Sequence, residues 1–241
     1  MTVYLVGAGP GDPGLLTVRG AELLREADVV LYDRLAAAAL LDLAPAAAER
    51  INVGKTPGHA STPQDEINRV LVEKGRAGLT VVRLKGGDPF LFGRGGEEAE
   101  ALLAAGVAFE VVPGVPALVA APAYAGVPVT HRGLSKAVTV VTGQSDPWSA
   151  PDTDWAAVAR VGGTVVLYMA VANRAEIAAR LMEGGMDPAT PVMAVTAGTR
   201  ADQVTVRTVL ADLGDADIRP PATIVIGAVA GLDLAWFPPD H

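Results

Sequence analysis

The sequence predicts an α/β protein of two α/β domains, the first with a largely parallel sheet. Three observations predict this. Residues 1 to about 112 repeat the order strand, turn, helix, which in one sheet gives parallel strands with helices on the faces. Two glycine-rich loops, Gly7 to Gly14 and Gly86 to Gly96, each directly follow a β-rich run and precede a helix. A second series of alternating strands and helices starts after residue 136. The expected division is an N-terminal domain over 1–113, a linker over 114–136 and a C-terminal domain over 137–241.

The first strand is Thr2 to Val6, ending at Gly7-Ala8-Gly9-Pro10-Gly11-Asp12-Pro13-Gly14, with a helix expected from Leu15 to Ala27. Gly7-x-Gly9 resembles the start of a dinucleotide fingerprint, but Pro10, Asp12 and Pro13 stand where that fingerprint needs backbone N–H groups facing a pyrophosphate. Asp12 would also repel a phosphate, so a neutral or cationic ligand fits better. Asp28 to Tyr32 reads as the second strand, with Asp33-Arg34 at its end and a helix through Leu40 and Leu43. Arg50 to Lys55 is the third strand. Thr62 as N-cap and Pro63 as first helical residue open a helix reaching Lys74.

Val81 to Leu84 is the next strand. Five glycines follow within eleven residues, Gly86 to Gly96, and Glu97-Glu98 opens a helix, where acidic residues suit the positive end of the dipole. This loop holds more glycine than a βα turn requires. Ligands bind at the carboxyl edge of open α/β sheets, and glycine lets one lie directly on the main chain. Val107 to Val112 is a strand and Ala117 to Tyr124 an alanine-rich helix. Strands are then expected at Val138–Val141, Thr164–Met169, Pro191–Thr196, Val204–Thr208 and Thr223–Val229, with helices at Asp154–Ala159 and Arg174–Glu183.

Bulk composition bounds the function. The 241 residues are half hydrophobic and only 19% charged, which excludes disorder. No apolar run reaches the ~20 residues of a membrane helix, and the start has no basic region or cleavage site, so no membrane association and no signal peptide are expected. Zero cysteines exclude disulfides, thiolate metal sites and cysteine nucleophiles. His59, His131 and His241 are too dispersed for a metal site, and the net charge of −8 argues against nucleic acid. A cytoplasmic protein is the expectation.

Asp33, Lys55 and Asp88 each fall just past a strand's carboxyl end, so a parallel sheet brings all three to one edge. Each has a plainer alternative. Asp33 equally caps the next helix or pairs with Arg34; Lys55 by itself reads as a solvated lysine; Asp88 before Pro89 begins a turn. Arg83, Lys85, Arg94 and Arg132 place positive charge near the same edge, as capture of a polycarboxylate requires, or else form a solvated rim. Met169, at a strand end, fits core packing as well as a ligand contact.

Together these stretches resemble the tetrapyrrole methylase superfamily. The matching residues are Val3 to Thr17, Val30 to Leu35, Val53-Gly-Lys55, Val82 to Glu97, Val111 to Val115, Ala123 to Arg132, Val140 to Gly143 and Tyr168-Met169. The long glycine stretch and Thr130-His131-Arg132 are the specific ones. The resemblance implies two α/β domains with the active site in the cleft between them, in a homodimer. It implies S-adenosyl-methionine as the methyl donor, with S-adenosyl-homocysteine as product, bound through Pro10, Gly86, Gly87, Asp88, Leu91 and Met169. Pro116, Ala117, Ala197, Gly198 and Gly227 fall at further cofactor-binding positions, and of these Pro116 and Ala117 stand where the family usually has Thr-Ser or Thr-Ala. Ala197-Gly198 stands in a usual Glu-Asn-Gly-Thr, and Gly227-Ala228-Val229 replaces a usual Gly-Glu-Val. Asp33 matches the family's general base and Lys55 its general acid. The branch most similar methylates uroporphyrinogen III twice, at carbons 2 and 7, giving precorrin-2 for sirohaem and cobalamin. Competing readings are a methyltransferase of a later precorrin, a nucleotide-binding oxidoreductase using the first glycine loop, and a binding module without turnover.

Overall fold

The structure, a computed structural model, describes residues 2–33, 38–54, 62–144, 153–234 and 236. The chain forms two compact units, Met1–Pro116 and Ala117–His241.

The first unit carries five strands: β1 (Val3–Gly7), β2 (Val29–Tyr32), β3 (Glu49–Asn52), β4 (Val81–Lys85) and β5 (Phe109–Val112). They form one sheet in the order β3-β2-β4-β1-β5, every pair parallel. Successive side chains point to opposite faces. Val3, Leu5, Val29, Leu31 and Val81 therefore pack with Ile67, Leu71, Ala99 and Leu102, which belong to helices α3 (Gln64–Arg76) and α4 (Gly95–Ala104). Val6, Val30, Val82 and Leu84 pack on the other face with Leu23 and Leu24 of α1 (Val18–Arg25) and Leu40 of α2 (Ala38–Leu41). A parallel sheet covered on both faces explains why these strands read as nearly continuous apolar runs.

Two helix starts differ from expectation. The segment after the first glycine loop makes a 3-10 turn at Pro13–Leu15, where Asp12 accepts from the Gly14 N–H at 2.7 Å; α1 then starts behind Thr17, whose hydroxyl accepts from the Gly20 N–H at 3.1 Å. Asp12 is thus a local cap, and the true helix N-cap is the Thr three residues before Gly20. At α3 the cap is Pro63 and not Thr62, with no side-chain capping bond; Asp65 and Glu66 in the first turn meet the helix dipole instead.

The second unit has α5 (Ala117–Tyr124), β6 (Val138–Thr142), α6 (Trp155–Val161), β7 (Thr164–Tyr168), α7 (Arg174–Glu183), β8 (Pro191–Thr196), β9 (Val204–Val209) and β10 (Ala222–Ile226). Its sheet runs β6-β7-β10-β8-β9; β6 and β7 are parallel and the other pairs antiparallel. One face packs on α6 and α7 through Trp155, Val158, Ile177 and Leu181. The other buries Ala121 of α5 with Val166, Met193, Val195 and Val225. The last strand ends at Ile226, earlier than the sequence pattern indicates, because Gly227 takes φ 139° and a 3-10 turn follows.

Candidate active site

The carboxyl edge of the first sheet is tied together by main chain. The Ala8 N–H donates to the Lys85 carbonyl at 2.7 Å, and Gly9 and Gly87 exchange two bonds, 3.2 and 2.7 Å. Asp88 joins the next loop to this pair: Oδ1 accepts from the Phe90 N–H at 2.8 Å and Oδ2 from the Gly114 N–H at 3.0 Å. Asp88 is therefore both the turn-starter its sequence context indicates and the strut between the loops after β4 and β5. Gly7 and Gly114 are needed because the backbones touch. A Cβ on Gly7 would lie 2.5 Å from the Gly114 Cα, and one on Gly114 would strike the Gly87 carbonyl.

Gly87 is different. Its φ is +67°, and a Cβ there would meet only the Pro116 Cα, at 3.9 Å. The main chain is bare on that side, forming a cradle that any side chain would fill. Because the Gly87 N–H and carbonyl already bond Gly9, the cradle offers its Cα face. Pro10, Gly86, Leu91 and Pro116 are half-buried around the same loops. The bare main chain of the cradle fits a backbone-contacting cofactor such as an adenosyl sulfonium compound. Among the described residues there is no cluster of metal-binding side chains.

Asp33 stands just past β2, the neighbour of β4. Its Oδ1 accepts from Arg83 Nη2 at 2.7 Å, with the carboxylate side chain 29% exposed. Asp33 and the Gly86–Asp88 loop thus leave adjacent strands at one edge, as the strand-end argument expects. Lys55, the expected proton donor, lies outside the described residues.

Two of the expected surface cations are not on the surface. Arg83 and Lys85 are each 2% exposed. Alternation along β4 turns both toward α4, where Glu98 is fully buried. Glu98 Oε1 accepts from Arg83 Nε at 3.0 Å and from Lys85 Nζ at 2.8 Å, with the Gln64 amide at 3.4 Å. Among the described residues, Glu98 Oε2 has no hydrogen-bond partner. Burial pushes the Lys85 ammonium down from its ordinary range, and neighbouring Arg83 adds to this against Glu98. Burial opposes the Arg83 charge too, but Glu98 and Asp33 outweigh it and raise its pKa. A signal for this cluster was present in the sequence: Glu98 is four residues from Leu102 and adjacent to Ala99, on the apolar stripe of α4, and Arg83 and Lys85 alternate in step with Val81. Arg94 instead stays on the surface, forked onto Glu97 at 2.7 and 2.6 Å. Its hydrogen bonds hold the Glu97 carboxyl below the usual range.

In the second unit, Met169 follows β7 and Ala197-Gly198 follows β8, both beside the start of β10. Met169 is 47% exposed with φ 49°. Ala197, φ 49°, is buried and donates to the Pro221 carbonyl at 3.0 Å. The Leu118 N–H donates to the Tyr168 hydroxyl at 2.6 Å, which brings Ala117 and the first turn of α5 to this edge. Gly198 packs so closely on α5 that a Cβ would collide with that of Ala121. Gly227 is not brought to these residues. β10 is antiparallel to both neighbours, so its end emerges at the opposite edge, where Gly227 bonds the Pro191 carbonyl at 2.9 Å. Five strand residues separate the edges, about 17 Å. Pro221-Ala222, at the start of β10, occupy the edge that Gly227 does not.

Residues 2–214 match the model of the tetrapyrrole (corrin/porphyrin) methylases, and the chain belongs to that family. It is 51% identical over 235 residues to the S-adenosyl-L-methionine-dependent uroporphyrinogen III methyltransferase of Methanosarcina barkeri, covering 95% of this chain and 92% of that one. It is 49% identical to siroheme synthase 1 of Klebsiella pneumoniae over 98% of its own length, but spans only half of that longer protein. The crystal structure of uroporphyrin-III C-methyl transferase from Thermus thermophilus, complexed with S-adenyl homocysteine, superposes with a TM-score of 0.83 at 45% identity, covering 95% of this chain and 98% of that one.

Proposed function

We propose that the protein is an S-adenosyl-methionine-dependent C-methyltransferase that converts uroporphyrinogen III to precorrin-2 by methylating carbons 2 and 7 in succession. The observation that carries this is the shared edge of β2 and β4, where a carboxylate stands beside a glycine cradle shaped for a backbone-contacting ligand. The high identity to uroporphyrinogen III methyltransferases along most of the chain supports this substrate over a later precorrin.

S-adenosyl-methionine, when bound, supplies a methyl group activated on a positively charged sulfur. The chain's part begins with placement. The Gly87 cradle, held rigid by its two bonds to Gly9 and by Asp88, fixes where the donor lies, and alignment at near-attack distance supplies much of the rate. Attack of a macrocycle carbon on that methyl group would discharge the sulfur, so a lining of main chain and apolar side chains would favour the transition state. Methylation leaves a proton to be redistributed on the macrocycle. The Asp33 carboxylate accepts it, and Lys55 keeps the proton-donor role the family resemblance gives it. A homodimer in the cytoplasm follows from the same resemblance; sedimentation at twice the 24.6 kDa chain mass tests the pairing.

The test is transfer of label from methyl-labelled S-adenosyl-methionine to uroporphyrinogen III under reducing conditions. Labelled macrocycle is expected. Label retained on the donor, together with tight NADH binding, would favour the oxidoreductase alternative.

A further inference from the structure

We propose that Glu98 is a positioning residue for the methylation chemistry: acting through Arg83, it holds the Asp33 carboxylate at the edge of the first sheet. This rests on the reading of Asp33 as proton acceptor. The geometry is a chain of three groups running from the interior outward. Glu98 is fully buried, the Arg83 side chain is 3% exposed, and the Asp33 side chain is 29% exposed. Arg83 spans them with two different nitrogens, Nε to Glu98 and Nη2 to Asp33, while Nη1 meets the Leu84 carbonyl at 3.3 Å. A planar guanidinium held at all three corners cannot swing, so its Nη2 presents a fixed donor to Asp33. Asp33 Oδ1 is thereby occupied, and Oδ2 has no hydrogen-bond partner among the described residues.

Glu98 neutralises the two cations buried with it, Arg83 and Lys85, and its loss alone would leave them uncompensated. The buried set as a whole is nevertheless costly: Glu98 shares a face of α4 with Ala99 and Leu102, and well-packed apolar residues in place of a whole buried ion pair are often neutral or stabilising. Its Oε1 accepts from three donors and, among the described residues, its buried Oε2 from none, an arrangement that leaves desolvation uncompensated. An ionic set carried at such a cost is explained if it orients something that must not move. Among the described residues, the charged groups facing Glu98 are Arg83 and Lys85 of β4; Gln64 of α3 is neutral. Asp33 faces Arg83, and Lys85 feels its charge at longer range.

Replacing Glu98→Gln leaves the shape and removes the charge that shares Arg83. The guanidinium then loses the carboxylate that fixes its Nε, and the donor it presents to Asp33 can turn. The expected result is a kcat lower by about tenfold to a hundredfold at an unchanged KM for uroporphyrinogen III, with S-adenosyl-homocysteine affinity near wild type; the melting temperature falls, because Arg83 and Lys85 lose their buried counter-charge. An unchanged kcat, or a kcat that falls only in step with S-adenosyl-homocysteine affinity, overturns the proposal, since a merely structural loss would not spare binding. If Glu98→Gln does not fold, Arg83→Lys carries the test. It keeps the buried charge and loses the two-carboxylate span, so a fall in kcat at constant KM supports the proposal, and wild-type kcat overturns it. Asp33→Asn separates the two readings. Full activity in that variant removes the proton acceptor and this proposal with it; an inactive Asp33→Asn beside an unaffected Glu98→Gln removes this proposal alone.

Discussion

In the proposed mechanism Asp33 takes the acid–base part of the chemistry, and its substitution is the sharpest single-residue test. Asp33→Asn keeps a side-chain acceptor for Arg83 and loses the capacity to take a proton. Turnover is expected to fall by roughly a hundredfold or more while calorimetry shows unchanged binding of S-adenosyl-homocysteine. Lys85 gives a second prediction, read in stability. Its pKa is lower folded than the usual 10.5, so over the pH window between the two values the unfolded chain binds more protons. Stability therefore gains from this residue as pH rises through that window, and the cost of its burial is felt below it. Chemical denaturation across pH 7 to 10 should show a positive contribution that Lys85→Met removes; identical pH slopes in both proteins would contradict the assignment. At this scale the sequence was only half legible. The place of Asp33 at the sheet edge was legible because strand ends are visible as the close of a β-rich run. Its partner was not, because a cation in a strand looks the same whether it meets water or a buried carboxylate on a helix fifteen residues later. Only the strand's period of two and the stripe on α4, read jointly, pair Arg83 with Glu98.

The element to which the proposal assigns cofactor binding is the β4–α4 loop. Gly87→Val introduces a side chain into the cradle and forces a β-branched residue to φ +67°, a conformation it rarely adopts. Loss of measurable S-adenosyl-homocysteine binding is expected by calorimetry, whereas unaltered affinity would remove the cradle from the account. Gly7→Ala acts on the fold instead. Its methyl would stand 2.5 Å from the Gly114 Cα, and main chain cannot yield as a side chain can. A loss of about 1–3 kcal/mol is expected in denaturant unfolding. Loops of this kind were legible, since five glycines in eleven residues exceed what turning requires. What they bind to internally was not. The sequence offers the N–H and carbonyl of Gly87 to a ligand, and the fold spends both on Gly9. Helix starts were misplaced for a related reason: Asp12 and Thr17 are both good caps, and only the 3-10 turn at Pro13–Leu15 decides which one opens α1.

For the whole molecule, two α/β units were evident from the alternation of strand and helix, but their sheets differ in a way the alternation does not encode. In the first, every strand is parallel and carboxyl ends converge, so Pro10, Asp33 and Gly86–Asp88 come together. In the second, β10 is inserted antiparallel between β7 and β8, so Met169 and Ala197 meet at one edge and Gly227 leaves by the other. Strand direction depends on long-range pairing, which local composition does not reveal. The central claim concerns a complete reaction, and the number of methyl groups added measures it most directly. Purified protein, S-adenosyl-methionine and uroporphyrinogen III are incubated anaerobically and the macrocycle is weighed by mass spectrometry over time. The account predicts a singly methylated species that converts to a doubly methylated end product. A macrocycle unchanged in mass would contradict it.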